Sequence, residues 1–314
     1  MILTVTLNTA LDVTYEVPAL RPGGVHRVAG MHERPGGKGI NVARVLHELR
    51  EPVIATGLLG GGTGESIRTL LGNLRHSFVD IAGPSRRTTT VVDGSSATGF
   101  WEPGPEVSTE EWERFVVHFG ALLKVARVAV LSGSLPPGLP ADAYARLIEV
   151  ARAAEVPVVL DTSGEPLAAG IAAGPDIVKP NAHELATMSG MAVGVFEPGA
   201  VDLAEAEALA AADAVRGASR TAVVASLGRY GMVASTPAGR WHARPASALD
   251  GNPTGAGDAA VAALVRGLAY RLPWPQRLAD AIGLSGAAVL APVAGAMSLS
   301  DYQKLRRGAD VQEM

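Results

Sequence analysis

The sequence predicts an α/β fold: a mainly parallel sheet flanked by helices, with a small antiparallel β lid projecting from it. Three observations point there. Short, continuously apolar runs rich in β-branched residues recur along the chain, as expected of strands buried on both faces. Between them lie segments with the three-to-four-residue spacing of amphipathic helices. Two further segments alternate polar and apolar residues between turn signals, the pattern of half-buried strands.

The apolar runs are residues 2–7, 53–59, 128–131, 156–160, 177–179 and 222–225. Helical spacing is carried by Val42, Val45, Leu46 and Leu49, by Tyr144, Leu147, Ile148 and Ala151, and by Val261, Leu264, Val265 and Leu268. Strands alternating with such helices imply parallel pairing, and sites in such folds gather at the carboxyl ends of the strands. The alternating segments are residues 12–35 and 86–102, which are assigned to the lid. No Ser- or Gly-rich linker and no internal repeat divides the 314 residues, so the chain is read as one domain, 1–314.

Composition narrows the function. Hydrophobic residues make up 47% and charged residues 18%, enough for a substantial core and too little charge for a disordered chain. A net charge of −4 argues against nucleic acid or a polybasic membrane contact as the main partner. Cysteine is absent, which excludes disulfides, thiolate catalysis and cysteine-ligated metals and fits a cytoplasmic location. The start MILTVTLNTALD has no basic segment and no signal-peptidase pattern. The uncharged run 281–300 contains Pro292, three glycines and three serines, and reads as a buried helix followed by a loop, not a membrane span.

Two glycine-rich segments carry the chemistry. Gly36-Gly37-Lys38-Gly39-Ile40-Asn41 directly precedes a predicted helix. Glycines let a backbone approach a ligand, and a helix start offers free N–H groups and a positive dipole end. With Lys38 and Asn41 the segment suits a hydroxyl-rich anion; the plainer alternative is a glycine turn capped by Asn41. The second segment is Asn252-Pro253-Thr254-Gly255-Ala256-Gly257-Asp258. Here the N–H groups of Gly255, Ala256 and Gly257 form a candidate anion hole, with Asp258 placed to accept a proton from an attacking hydroxyl. That combination suits phosphoryl transfer, which depends mostly on positioning and electrostatics; the alternative is that Asp258 only caps a helix. The match to G-x-G-x-x-A through Gly255, Gly257 and Ala260 has no strand immediately before it. Residues 60–64 lack the Lys-Ser/Thr ending of a P-loop, LSGSLPPG lacks G-x-S-x-G, and the histidines lack metal-ligand spacing. Trp101 and Trp112 read as packing residues.

The pair GGKGINVA (36–43) and NPTGAGD (252–258), in this order and about 215 residues apart, resembles the two signatures of the PfkB carbohydrate kinase family. The likeness spans the chain through MILTVTLNTALDVTY, VLSGSLPPGLP, VVLDTSG, IVKPNAHEL and VVASLGRYG. These segments resemble the phosphosugar branch, with 1-phosphofructokinases and tagatose-6-phosphate kinases, the latter most of all. The resemblance implies a ribokinase-like fold, a sugar-phosphate substrate, ATP and Mg²⁺, K⁺ near the second motif, and a homodimer formed through the lid. It implies that Asp12, Gly37 and Asn41 bind sugar hydroxyls, with Ser134 close by. Lys38, Arg86 and Arg27 would hold the phosphate already on the sugar. Lys179, Asn181 and Glu184 would face the nucleotide phosphates and Mg²⁺, with Glu184 acting on the metal indirectly. Ser226, Gly228 and Gly231 would line the nucleotide site, and Asp258 would be the base. One departure is Asn252-Pro253-Thr254, where related phosphofructokinases carry Ser-Thr-Val.

Overall fold

The structure is a computed structural model that describes residues 1–94, 96–194, 201–291, 293 and 295–314. In chain order, β1 (Ile2–Thr6) leads into the lid strands β2 (Ala10–Glu16) and β3 (Gly30–Gly36), then α1 (Lys38–Glu48), β4 (Val53–Gly60), α2 (Gly61–Leu70) and β5 (His76–Ile81). The lid strands β6 (Arg86–Val92) and β7 (Ala97–Trp101) follow, then α3 (Thr109–Leu123), β8 (Val128–Ser132), α4 (Ala143–Ala153) and β9 (Val158–Asp161). Next come α5 (Gly164–Ala172), β10 (Ile177–Val178), α6 (Ala182–Ser189), α7 (Val201–Arg216), β11 (Ala222–Ser226), β12 (Met232–Thr236) and β13 (Gly239–Arg244). The chain ends with α8 (Ala256–Ala269), α9 (Trp274–Leu290), α10 (Leu299–Gly308) and β14 (Asp310–Glu313).

The main sheet has the order β14-β13-β12-β11-β10-β9-β8-β1-β4-β5. Pairing is parallel from β5 to β11, and β12, β13 and β14 extend the edge antiparallel. Successive strand residues point to opposite faces, so one sheet feeds two cores. Ile2 joins Val42, Val45 and Leu46 of α1 and Val261, Leu264 and Val265 of α8 on one side. Leu3 and Val5 join Phe115 and Phe119 of α3 and Tyr144, Leu147 and Ile148 of α4 on the other. The order reverses at β1: the chain first builds β4 and β5 on one side, then β8 through β11 on the other. Such a switch opens a crevice at the carboxyl ends of the strands.

The lid is a four-stranded sheet of order β3-β2-β6-β7. Each hairpin is antiparallel, while β2 and β6 pair parallel to join the two hairpins. Parallel pairing follows from the main sheet: β2 leaves the carboxyl end of β1 and β6 that of β5, and those strands run the same way. The lid's apolar face is not left bare. Leu11 and Val13 are buried in the same cluster as Ile67 and Leu71 of the α2 segment. Trp112 packs as expected, stacked on Phe115 with ring centroids 6.0 Å apart. Trp101 does not: it is 79% exposed, because β7 is the outer strand of the lid. The first half of the uncharged run 281–300 lies in α9, with Pro292 outside the described residues. No helix among the described residues is long and apolar enough to cross a membrane.

Candidate active site

Both glycine-rich segments open onto the crevice. Gly37 precedes α1, whose first residues include Lys38 and Asn41. Gly36 lies against Asp12: a Cβ there would stand 2.2 Å from the Asp12 carboxylate, so a side chain at this position would displace it. Gly255 caps α8 in the left-handed region at φ 86°, turning the chain so that Asp258 falls in the first helical turn.

Asp258 is 6% exposed. Asn41 Nδ2 donates to its Oδ2 at 2.8 Å. Burial pushes its carboxyl up, the charge of Asp161 adds to this, and the Asn41 hydrogen bond with Lys38 and Lys179 opposes it, leaving a pKa of about 7. A carboxylate poised there is a competent base at neutral pH.

Asp161 ends β9 and is 1% exposed. Its Oδ1 lies 3.4 Å from Lys38 Nζ and 3.5 Å from Lys179 Nζ, and Ser132 Oγ donates to its Oδ2 at 3.3 Å. Burial acts to raise its carboxyl, but the two ammonium groups outweigh this and hold it below the usual range. For Lys38, burial acts to lower the ammonium, and Asp161, Asp258 and Glu184 together hold it above its ordinary value. Sequence reasoning assigned Asp161 no role. The signal was a lone Asp at the carboxyl end of a parallel strand in VVLDTSG.

The anion hole differs from its expected form. The Ala256 N–H already donates to Pro253 O at 3.2 Å, while Gly255 and Gly257 donate to no acceptor among the described residues. Lys179 Nζ stands 3.6 Å from where a Cβ on Gly257 would lie. Lys179 therefore sits beside the hole, in the middle of the site.

On the lid side, Thr88 Oγ1 donates to Asp12. Burial raises the Asp12 carboxyl, against Thr88, Arg86 and Arg44. Arg86 is half-buried; its Nε donates to Asn8 O and its Nη1 to Glu102 O, both at 3.2 Å. Strand alternation puts Arg86 on the Asp12 face of the lid and Arg87 on the opposite one. Ser134 Oγ accepts from Asn8 Nδ2 at 3.2 Å, which ties it to the same wall. Arg27 is not brought there. It lies on the exposed connection beyond the far end of the β2–β3 hairpin, past Gly30, which is itself six strand residues or about 20 Å from Gly36.

On the other side, Asn181 caps α6: its side chain accepts from Glu184 N at 2.8 Å, and Glu184 Oε2 accepts from Asn181 N at 2.9 Å. Asn181 bridges to Ser226 at the end of β11, and Gly228 opens the short turn that follows. Gly231, at φ 103°, has the oxygen of Ala243 2.0 Å from where a Cβ would be, so strand packing already requires a glycine. Among the described residues no group of three His, Asp or Glu side chains is placed to hold a metal ion.

A near-neutral carboxylate, free N–H groups at a helix start and two lysines, together at the carboxyl edge of a parallel sheet, define a kinase site. The chain belongs to the pfkB family of carbohydrate kinases, whose model matches residues 4–300. Phosphofructokinase-2 from Escherichia coli in complex with fructose-6-phosphate is 28% identical, with a TM-score of 0.83 over 98% of each chain. A possible 1-phosphofructokinase from Thermotoga maritima is 26% identical, with a TM-score of 0.85 over 100% of this chain and 99% of the other. Ribokinase from Thermotoga maritima, 16% identical with a TM-score of 0.76 over 98% of this chain and 99% of the other, shares the fold.

Proposed function

We propose that this carbohydrate kinase transfers the γ-phosphoryl group of ATP to a hydroxyl of a ketohexose monophosphate, giving ADP and a ketohexose bisphosphate. The observation that carries the reading is Asp258, a buried carboxylate titrating near neutrality beside the Gly255–Gly257 turn. Asp258 takes the hydroxyl proton as the oxygen attacks phosphorus. The N–H groups of Gly255 and Gly257, with Lys179, stabilise charge on the transferring group. Asp12 and Asn41 orient the sugar, while Lys38 and Arg86 face its existing phosphate. The E. coli neighbour bound to fructose-6-phosphate supports a phosphorylated substrate.

The residues following β10 and β11 supply the nucleotide side: Asn181, Ser226 and Gly228 at the carboxyl ends, with Glu184 in the same turn. Mg²⁺ arrives with ATP. Glu184, one of whose oxygens accepts from the Asn181 N–H, would act on that ion indirectly, and the ion would neutralise charge on the phosphates. A K⁺ ion near residues 252–258 belongs to the same proposal; phosphofructokinase-2 from E. coli has been solved with potassium. Tagatose 6-phosphate and the fructose phosphates are the candidate sugars, a choice that one hydrogen bond to one hydroxyl can decide. The test is ADP release on tagatose 6-phosphate, fructose 6-phosphate, fructose 1-phosphate and free fructose. Turnover confined to free fructose would replace this reading with a neutral-sugar kinase.

A further inference from the structure

Asp161 belongs to neither glycine-rich motif, yet it is the carboxylate on which the two halves of the site meet. Lys38 reaches it from the start of α1, on the sugar side, and Lys179 from the turn after β10, on the nucleotide side. Both ammonium groups lie against the same oxygen, Oδ1. The carboxylate is fixed in turn: Ser132 donates to Oδ2, and the Asp161 carbonyl accepts from Gly133 N at 3.0 Å. Two ammonium groups crowded into a buried crevice repel, so this arrangement needs a negative charge between them.

We propose that Asp161 is the positioning residue that joins the sugar and nucleotide half-sites. Its carboxylate holds Lys38 on the sugar side and Lys179 beside the Gly255–Gly257 turn and balances their charge, so that Asp258 keeps a proton affinity useful to a base. This rests on the reading of Asp258 as that base. The groups facing Asp258 are Asn41 and Lys38 from α1, Asp161 from β9 and Lys179 after β10. Glu184 from α6 acts on Lys38. Tyr144 of α4, whose hydroxyl donates to Gly133 O at 3.0 Å, lies beside Asp161. With the Asp161 charge removed, two lysines face Asp258 with no counter-charge between them. They spread apart, and Asp258 loses its proton at a lower pH. A purely structural Asp161 would change the amount of folded enzyme and leave the proton affinity of Asp258 where it was.

The experiment is kcat and kcat/KM against pH for wild type, Asp161→Asn, Lys38→Met and Asp258→Asn, each with a thermal unfolding curve. Asp161→Asn is expected to lower kcat about ten- to a hundredfold. It should also move the acidic limb of kcat/KM down by about one pH unit, because a neighbouring negative charge is gone. Lys38→Met, which removes a cation instead, should move that limb up. A folded Asp161→Asn with the limb unmoved overturns the proposal; if that variant does not fold, an unmoved limb in Lys38→Met does so. The base assignment fails separately: a wild-type limb that survives in Asp258→Asn removes Asp258 from the reaction and the role of Asp161 with it.

Discussion

The Asn41 amide donates to the Asp258 carboxylate at 2.8 Å across 217 residues of chain. That hydrogen bond joins the two glycine-rich motifs: the first supplies the group that orients the carboxylate of the second. It occupies Oδ2, while Oδ1 accepts no hydrogen bond among the described residues.

The first consequence concerns pH. With Asp258 as the proposed base its unprotonated form is the active one, so kcat/KM is expected to rise with pH and level off above about 7. Asn41→Ala removes a hydrogen bond to the charged form and should move the limb upward. Measuring kcat/KM across neutral pH for both proteins checks the position and the sign of the shift.

The same carboxylate makes stability depend on pH. Its folded pKa of about 7 lies above the ordinary 3.8, so the folded state holds a proton that the unfolded state has lost between those values. The stabilisation is fully present below about pH 4 and is lost as pH rises through about 7. Asp258→Asn carries no charge, so it should be more stable than wild type above pH 7, by about 1–4 kcal/mol. That advantage should vanish near pH 4. Chemical denaturation at the two pH values measures it.

Arg86→Ala should harm phosphorylated sugars about ten- to a hundredfold in kcat/KM, as expected when a charged hydrogen bond is lost. Free fructose and the KM for ATP should change little, since Arg86 lies on the Asp12 face of the lid. Equal losses on phosphorylated and neutral sugars would take the phosphate off Arg86.

The lid gives a weaker case for a dimer than its sequence pattern does, because Leu11 and Val13 are covered by the chain itself. What is left exposed is Met31, Phe100 and Trp101 on the edge strands and Val25 and Val28 on the β2–β3 connection. We expect a homodimer that buries these side chains, and Trp101→Glu should shift it toward monomer. Sedimentation at assay concentrations reads this directly; a fully active wild-type monomer would count against it.

Much of this was legible because it depends on local pattern. The runs 2–7, 53–59, 128–131 and 222–225 are strands, and Val42, Val45 and Leu46 form a buried helix face, with Leu49 half-buried at its end. Strand β14 hid because DVQE is a polar edge segment that shows no core-facing pattern. The parallel pairing of β2 with β6 depends on the direction of β1 and β5, which no local segment encodes. Asp161 stays hidden for a similar reason: its partners come from the start of α1 and the turn after β10 and meet the end of β9 only in the folded site. Arg27 was placed at the phosphate by resemblance, and the hairpin length separates it from Lys38 within one chain. The aromatic character of Trp101 points to packing, whereas its place on an outer strand is not visible in the local sequence.

The measurement that bears most directly on the mechanism is single-turnover ADP formation by Asp258→Asn with saturating ATP and sugar phosphate, beside binding of each ligand. Turnover is expected to fall by about 10²–10⁴ with both affinities largely kept, since the substitution removes the base and leaves the pocket shape. Turnover within about threefold of wild type, below any general-base contribution of that size, would contradict the role of Asp258.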